Sequence, residues 1–292
     1  MYAQEVKSFR RVHLLKMLVF SSTWMLGSLM FSITTIPLYI IGHRDQAAEV
    51  AHYLGNVMGQ WMFRIIAPPP DVVGLENLPP DGEKGMVYVS NHQSMLDIAM
   101  FYYIGSQRKF SWVSKSSVFL VPGVGCLMKL AKYVALTRGN RNSVRKMFDD
   151  CTERIDAGWS VMIFPQGTRR RHKILDFKDG AFTLALETGA TVVPFTLYLP
   201  EDIFFSSTER AKVTIHKPIS PGDPKFKDLV TLRKHCFDTV IGALPYSKAM
   251  LEEQQAARAE AEEAEETKCE NASEAEVTAL IGDDDGGSKK TN

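Results

Sequence analysis

The chain has 292 residues, 45% hydrophobic and 23% charged, which fits one large domain or two small ones and excludes a wholly disordered protein. Its 34 basic and 34 acidic residues cancel only on paper: the segment from Leu251 holds 13 acidic residues against 4 basic ones, so residues 1–250 carry a net charge of +9. A basic body suits anionic membrane surfaces, phosphate-bearing substrates or nucleic acid, and charge alone does not choose among them. Cys126, Cys151, Cys236 and Cys269 stand far apart with no Cys-x-x-Cys pair, so neither a zinc cluster nor a disulfide framework is indicated, and a reducing compartment is the default.

In chain order, the first feature is an uncharged run from Met17 to Gly42. Roughly 20 apolar residues cross a bilayer's hydrocarbon, so this run is expected to be membrane-embedded. It is too long for the apolar part of a cleaved signal peptide, and no small-x-small cleavage site follows it. Val50 to Pro68 is milder, carries Arg64 within a greasy end, and reads as an interfacial helix closed by Pro68, Pro69 and Pro70. Lys7, Arg10, Arg11 and Lys16 hold the N-terminus in the cytosol by the positive-inside rule, yet one full crossing would then export everything that follows. A helical hairpin over residues 12–68, reversing through Pro37 and His43-Arg44-Asp45 and dipped into one leaflet, removes the conflict.

Beyond the prolines, short β-branched or aromatic runs predict strands at Met86–Ser90, Phe110–Val113, Tyr133–Thr137, Ser160–Phe164, Thr191–Leu199 and Lys212–Lys217. Helices are predicted from an Asn140 N-cap to Gly158, from Asp179 to Gly189, and over Lys225–Leu244. The alternation implies an α/β domain with a mostly parallel central sheet flanked by helices, and in such sheets ligands gather beyond the strands' carboxyl ends. The organisation is then a membrane-anchoring hairpin at 1–70, an α/β domain at 71–246, and an acidic Ala/Glu-rich tail at 247–292, partly disordered. The sequon Asn271-Ala272-Ser273 falls in that tail and is read as chance.

Two constellations carry chemistry. After the first strand stands Asn91-His92-Gln93-Ser94-Met95-Leu96-Asp97, where a turn returns Asp97 to the imidazole as base and orienter. An imidazole titrates near neutrality and suits a general base. No Gly-x-Ser-x-Gly elbow surrounds Ser94, so the nucleophile is expected to be a substrate hydroxyl. After the Ser160–Phe164 strand comes Pro165-Gln166-Gly167-Thr168-Arg169-Arg170-Arg171, followed by His172, Lys173 and Lys178. Gly167 lets backbone approach a ligand closely and the cations supply donors for an oxyanion such as a phosphate. Arg138 adds a third cationic strand end.

Over Asp71 to Pro218 the chain resembles the 1-acylglycerol-3-phosphate acyltransferase family, which makes phosphatidic acid from lysophosphatidic acid and an acyl thioester. The resemblance rests on Asn91-His92-Gln93-Ser94-x-x-Asp97 and, some seventy residues later, Phe164-Pro165-Gln166-Gly167-Thr168-Arg169. Gly74-x-Glu76-Asn77-Leu78-Pro79, Lys115 to Gly125, Thr137-Arg138 and Val193-Pro194 fall where the family places its other blocks. It implies His92 as general base, Asp97 as its orienter, and Arg138, Gln166, Gly167, Thr168 and Arg169 around the acceptor's glycerol phosphate. Lys115 and the Val121–Gly125 turn resemble the acyl-chain and positioning region. Gln166 departs from the family's usual Glu, an amide for a carboxylate near the phosphate pocket, which would shift acceptor preference. The implied partners are lysophosphatidic acid in an anionic membrane surface and acyl-CoA as co-substrate, with no metal, no resident cofactor and no nucleic acid. The implied location is a membrane with the catalytic domain on its cytosolic face: the endoplasmic reticulum in a eukaryote, the inner membrane in a bacterium. Other acceptors, glycerol 3-phosphate or a lysophospholipid with a larger head group, remain alternatives. A non-catalytic membrane-remodelling protein is the rival class, and the intact His92 and Asp97 argue against it.

Overall fold

The computed structural model describes residues 2–80, 84–104, 108–170, 173–200, 203 and 209–257. Arg171, His172, Cys269, the sequon and most of the acidic tail lie outside these residues. Two compact units are distinguished, Met1–Pro245 and Tyr246–Asn292. The second is helical from 247 to 257 among the described residues.

The N-terminal run forms helix α1 (Tyr2–Ile40), and Arg44–Ile66 forms α2. Within α1, Ser21–Ile40 is long and apolar enough to cross a membrane, and only 17% of its most apolar window is buried. Reversal falls between the two places the sequence indicated, Pro37 and His43-Arg44-Asp45. The α1 helix continues through Pro37 and stops at Ile40, the chain turns at Ile41–His43 with Gly42 at φ +94°, and Arg44 and Asp45 already belong to α2. A proline removes one backbone donor and here sits in the last turn, where the helix is ending anyway. The two helices run side by side, Ser28 Oγ lying 4.0 Å from Met58 Sδ.

The sheet has seven strands: β1 (Asp71–Val73), β2 (Val87–Ser90), β3 (Phe110–Lys115), β4 (Val134–Leu136), β5 (Ser160–Ile163), β6 (Val192–Tyr198) and β7 (Lys212–Ile215). Their order is β1-β7-β6-β2-β5-β3-β4, parallel throughout except for the antiparallel β6–β7 pair. The predicted mostly parallel sheet is present, with one strand more than the sequence indicated, the three-residue β1 after the prolines. Every residue of β2 is buried, the continuous apolar run expected of a strand covered on both faces.

Side chains alternate across that sheet with period two. Tyr88, Phe110, Trp112, Phe195 and Leu197 point to one face, where Phe101 of helix α3 (Leu96–Ile104) meets Phe110, Trp112 and Phe195 edge-on at centroid distances of 5.0–5.4 Å. Ser111 and Thr196 point the other way. The hydroxyl of Ser111 receives Arg154 Nε of α5 (Arg141–Asp156) at 3.0 Å, and that of Thr196 donates to the Val240 carbonyl of α7 (Leu229–Gly242) at 2.7 Å. Helix α6 (Gly180–Thr188) lies between α5 and α7. The third predicted helix starts later than Lys225 because Asp228 caps it, accepting from Thr231 N at 2.9 Å, and Pro224–Phe226 forms a separate 3₁₀ turn.

Helix α2 packs on α1 and α3, with Ala47, Ala48, Ala51, His52, Asn56, Met58 and Phe63 buried. Residues 1–70 and the sheet therefore share the first compact unit. Helix α4 (Val124–Leu130) packs on α1 through Gly123. This residue adopts φ +75°, and a Cβ there would stand 2.5 Å from the Met25 carbonyl oxygen and 2.8 Å from Leu29 N, so only glycine lets the two backbones touch.

Candidate active site at the carboxyl edge of the sheet

Strands β6, β2, β5, β3 and β4 are mutually parallel, so their carboxyl ends line one edge. That edge collects Asn91-His92 after β2, Phe164–Arg170 after β5, Lys115 at the end of β3 and Arg138 after β4. Sequence separations of some seventy residues collapse to neighbouring strands.

Asn91 ends β2 by acting as a piece of backbone. Its amide Nδ2 donates to the Leu197 carbonyl and its Oδ1 accepts from Leu197 N, both at 2.8 Å, carrying the β2–β6 ladder one step further with a side chain. The chain then leaves the sheet, and His92 is the first residue free to face outward. Its Nδ1 lies 2.8 Å from Asp97 Oδ2. Asp97 is fully buried in the first turn of α3, and the same oxygen accepts the backbone N–H groups of Gln93 at 2.7 Å and Ser94 at 2.8 Å. With its carboxylate ionised, three donors converge on Oδ2, so the network assigns the His92 proton to Nδ1 and leaves Nε2 as the acceptor. The His92 side chain is 13% exposed, enough for one ring edge to reach a ligand.

The imidazole is also fixed from its face. Phe164 stacks on it with centroids 3.9 Å apart and planes 9° from parallel, and Trp112 of β3 lies behind Phe164 at 5.6 Å and 22°. A carboxylate holding one nitrogen and a ring holding one face leave the imidazole little rotation. Sequence reasoning passed over Phe164 and Trp112 as strand residues and Asn91 as part of a motif. Their signal was position: an aromatic at the last place of the strand next to the His-bearing one, and an Asn where a strand stops.

The β5 loop folds around this pair. Gly167 N donates to the Phe164 carbonyl at 2.9 Å, Lys178 N to the Pro165 carbonyl at 3.0 Å and Arg170 N to the His92 carbonyl at 3.3 Å. Gly167 has φ +71°, and Lys178 Nζ would stand 3.3 Å from a Cβ at that position, so the absent side chain makes room for an ammonium. Arg169, Arg170, Lys173 and Lys178 are exposed, as are Lys115 and Arg138, and Thr168 is half-buried. Gln166 faces inward, its Oε1 accepting from His92 N at 2.7 Å and its Nε2 donating to the Leu175 carbonyl at 3.2 Å. Of the residues singled out from sequence, the structure joins His92, Asp97 and Gln166 by hydrogen bonds and sets Gly167, Thr168 and Arg169 in the adjoining loop. Lys115 and Arg138 stand at the next two strand ends, on the same edge but without contact to the His–Asp pair.

The backbone N–H groups of His92, Gln93 and Ser94 are all engaged, with Gln166 or Asp97. They hold the base and are not free for a substrate oxygen.

The profile of the family described as Acyltransferase matches residues 70–198. A chloroplastic 1-acyl-sn-glycerol-3-phosphate acyltransferase of Brassica napus is 40% identical over 202 residues, 64% of this chain and 57% of the relative. A 1-acyl-sn-glycerol-3-phosphate acyltransferase of Chlamydomonas reinhardtii is 36% identical over 179 residues, 58% of this chain and 52% of the relative. The chain thus spans about half the length of the curated relatives it matches. The crystal structure of the 1-acyl-sn-glycerophosphate acyltransferase PlsC from Thermotoga maritima superposes with a TM-score of 0.63 at 23% identity, covering 84% of this chain and 98% of that one. Residues 70–198 thus match the acyltransferase family model, and the chain that carries them is similar to the 1-acyl-sn-glycerol-3-phosphate acyltransferases.

Proposed function

We propose that this protein transfers a fatty acyl group from an acyl thioester, with coenzyme A as carrier, to the free sn-2 hydroxyl of 1-acylglycerol 3-phosphate, giving phosphatidic acid and free thiol. The observation that carries the reading is the His92–Asp97 hydrogen bond of 2.8 Å at the carboxyl edge of the sheet, directly beside the basic β5 loop. The acceptor hydroxyl loses its proton to His92 Nε2 while its oxygen attacks the thioester carbonyl. The tetrahedral intermediate collapses, the C–S bond breaks, and the departing thiolate takes the proton back from the imidazolium. Asp97 keeps the ring oriented and offsets its transient positive charge. Arg169, Thr168, Gly167 and Arg138 serve the acceptor's phosphate, Arg169 as a two-pronged donor, and Lys115 serves the acyl-donor side. The reaction as written needs no resident metal or cofactor.

In the same reading the α1–α2 hairpin sits in one leaflet and brings the basic edge to the headgroups, with the domain on the cytosolic face. Outward-facing Leu26, Met30, Ile33 and Ile40 on α1 support a lipid-facing surface there, each more than half exposed.

An acyl-transfer assay of the purified protein against lysophosphatidic acid, glycerol 3-phosphate and lysophosphatidylcholine tests the reaction. Lysophosphatidic acid is expected to be preferred, and His92→Ala to lower turnover about 10²- to 10⁴-fold with unchanged thermal melting. A His92→Ala protein retaining activity within about threefold of wild type would falsify the base assignment.

A further inference from the structure

Gln166 lies behind the base. Its side chain is 6% exposed, and both of its polar ends are spent on protein: Oε1 on the His92 backbone N–H and Nε2 on the Leu175 carbonyl. These two bonds have opposite polarity, since one atom accepts and the other donates. A primary amide does both, whereas an ionised carboxylate only accepts and would turn a lone pair toward the Leu175 oxygen. The two anchored points belong to different parts of the chain. His92 follows β2, and Leu175 lies beyond the β5 loop that carries Phe164, the ring under the imidazole. The amide therefore ties the backbone of the base to the loop supporting its ring, and it does so from inside, away from the exposed cations.

We infer that Gln166 is a positioning residue for His92, holding the base against the Phe164 loop, and not a ligand of the acceptor's phosphate. The inference deepens the acyl-transfer reading and rests on it for its kinetic consequence. The difference from the family's usual Glu is then a change in how the base is held: Gln satisfies both partners without adding a second carboxylate beside the buried Asp97.

Two variants and one measurement test this. Gln166→Leu removes both bonds, while Gln166→Glu keeps an acceptor for His92 N. We expect kcat to fall about 10- to 100-fold in Gln166→Leu, as small displacements of a catalytic group do, and less in Gln166→Glu, with the acceptor KM in both within about threefold of wild type. A rise of about tenfold or more in acceptor KM with kcat preserved would make Gln166 a substrate ligand and overturn the proposal, as would wild-type kinetics in Gln166→Leu. Hydrogen exchange of the His92 backbone amide, read by NMR in detergent micelles, needs neither turnover nor a foldable Leu variant. Protection is expected in wild type and in Gln166→Glu, and exchange at the rate of an unprotected peptide in wild type would sink the positioning role. If the wild-type protein acylates none of the acceptors, the reaction is wrong, and the exchange result still decides whether Gln166 holds His92.

Discussion

Helices α2 and α5 each lie against the body of the domain by a largely apolar stripe, and they differ in how many polar contacts accompany it. Helix α5 follows the rule for a water-facing helix: Met147, Cys151 and Ile155 are buried at spacings of four, and Lys146 pairs with Asp150 at 2.7 Å on the outside. On α2 the buried stripe of Ala47, Ala48, Ala51, Met58 and Phe63 is interleaved with His52 and Asn56, and polar residues bond to the body along the helix. Asp45 meets Lys132 and Glu49 meets Lys109, both at 2.6 Å, while Gln60 donates to the Tyr102 carbonyl at 3.3 Å. His52 meets Tyr133 Oη at 3.0 Å and the Arg108 carbonyl at 2.9 Å, with Asn56 against its ring at 2.9 Å. Tyr53 and Trp61 on α2 face outward, each about 60% exposed. An unbroken apolar stripe fixes only which face of a helix is turned inward. A stripe broken by polar groups also fixes the neighbour, because each buried group must find its own partner.

The sharpest way to break the comparison is topological. Under the single-leaflet reading, cysteine tags at positions 3 and 285 are both expected to be labelled from the cytosolic side of sealed vesicles. Protection of one tag alone would mean a true crossing, and the outward apolar face of the hairpin would then need a different account.

The next effect concerns the polar seam. Burial pushes His52 down to about 4 from an ordinary imidazole value of 6.5, with the Arg108 carbonyl pulling the other way and the Arg154 charge adding to the depression. A neutral histidine inside the fold binds fewer protons than the unfolded chain between those values. Its share of stability is whole above pH 6.5 and is lost as pH falls toward 4, a loss of about 3 kcal/mol in all. His52→Gln, which cannot titrate, should therefore lose less stability than wild type between pH 7 and pH 4 in denaturant titrations. Parallel curves would show that His52 is not held neutral. The smallest effect belongs to the conventional helix: Asn140 caps α5 by accepting from Ser143 N at 3.0 Å, and Asn140→Ala should lower the unfolding free energy by about 1 kcal/mol. A change under about 0.3 kcal/mol would show that tertiary packing alone holds the start of α5.

The same contrast explains what could be read from residues alone. Strands such as Phe110–Lys115 and the α5 helix were legible because their apolar periodicity points to a core of the usual sense. Helix α3 was not, because Leu96–Ile104 is apolar on almost every side and gives no period, being covered both by the sheet and by α2. The α2 helix was read as interfacial from Arg64 within its greasy end, a signal that says nothing of the packing of its other face on α3. At the site, His92 and Asp97 were legible as a pair, since a strand end and a five-residue return suffice to bring them together. The role of Gln166 was hidden, because its partners are a backbone N–H and a carbonyl that composition cannot reveal.

The site is fastened across long stretches of chain. Gln166 reaches His92 over 74 residues, and Asn91 exchanges its two bonds with Leu197 over 106. Each closure must wait for strands that are far apart in synthesis order to find one another, the slow kind of contact in folding. A growing polypeptide that has released His92 and Asp97 from the ribosome holds only the local half of the arrangement until Leu197 has emerged and β6 has docked. The hairpin, made entirely of the first 66 residues, is complete much earlier. The order of translation thus lets the apolar helices find their surroundings before the imidazole is assembled.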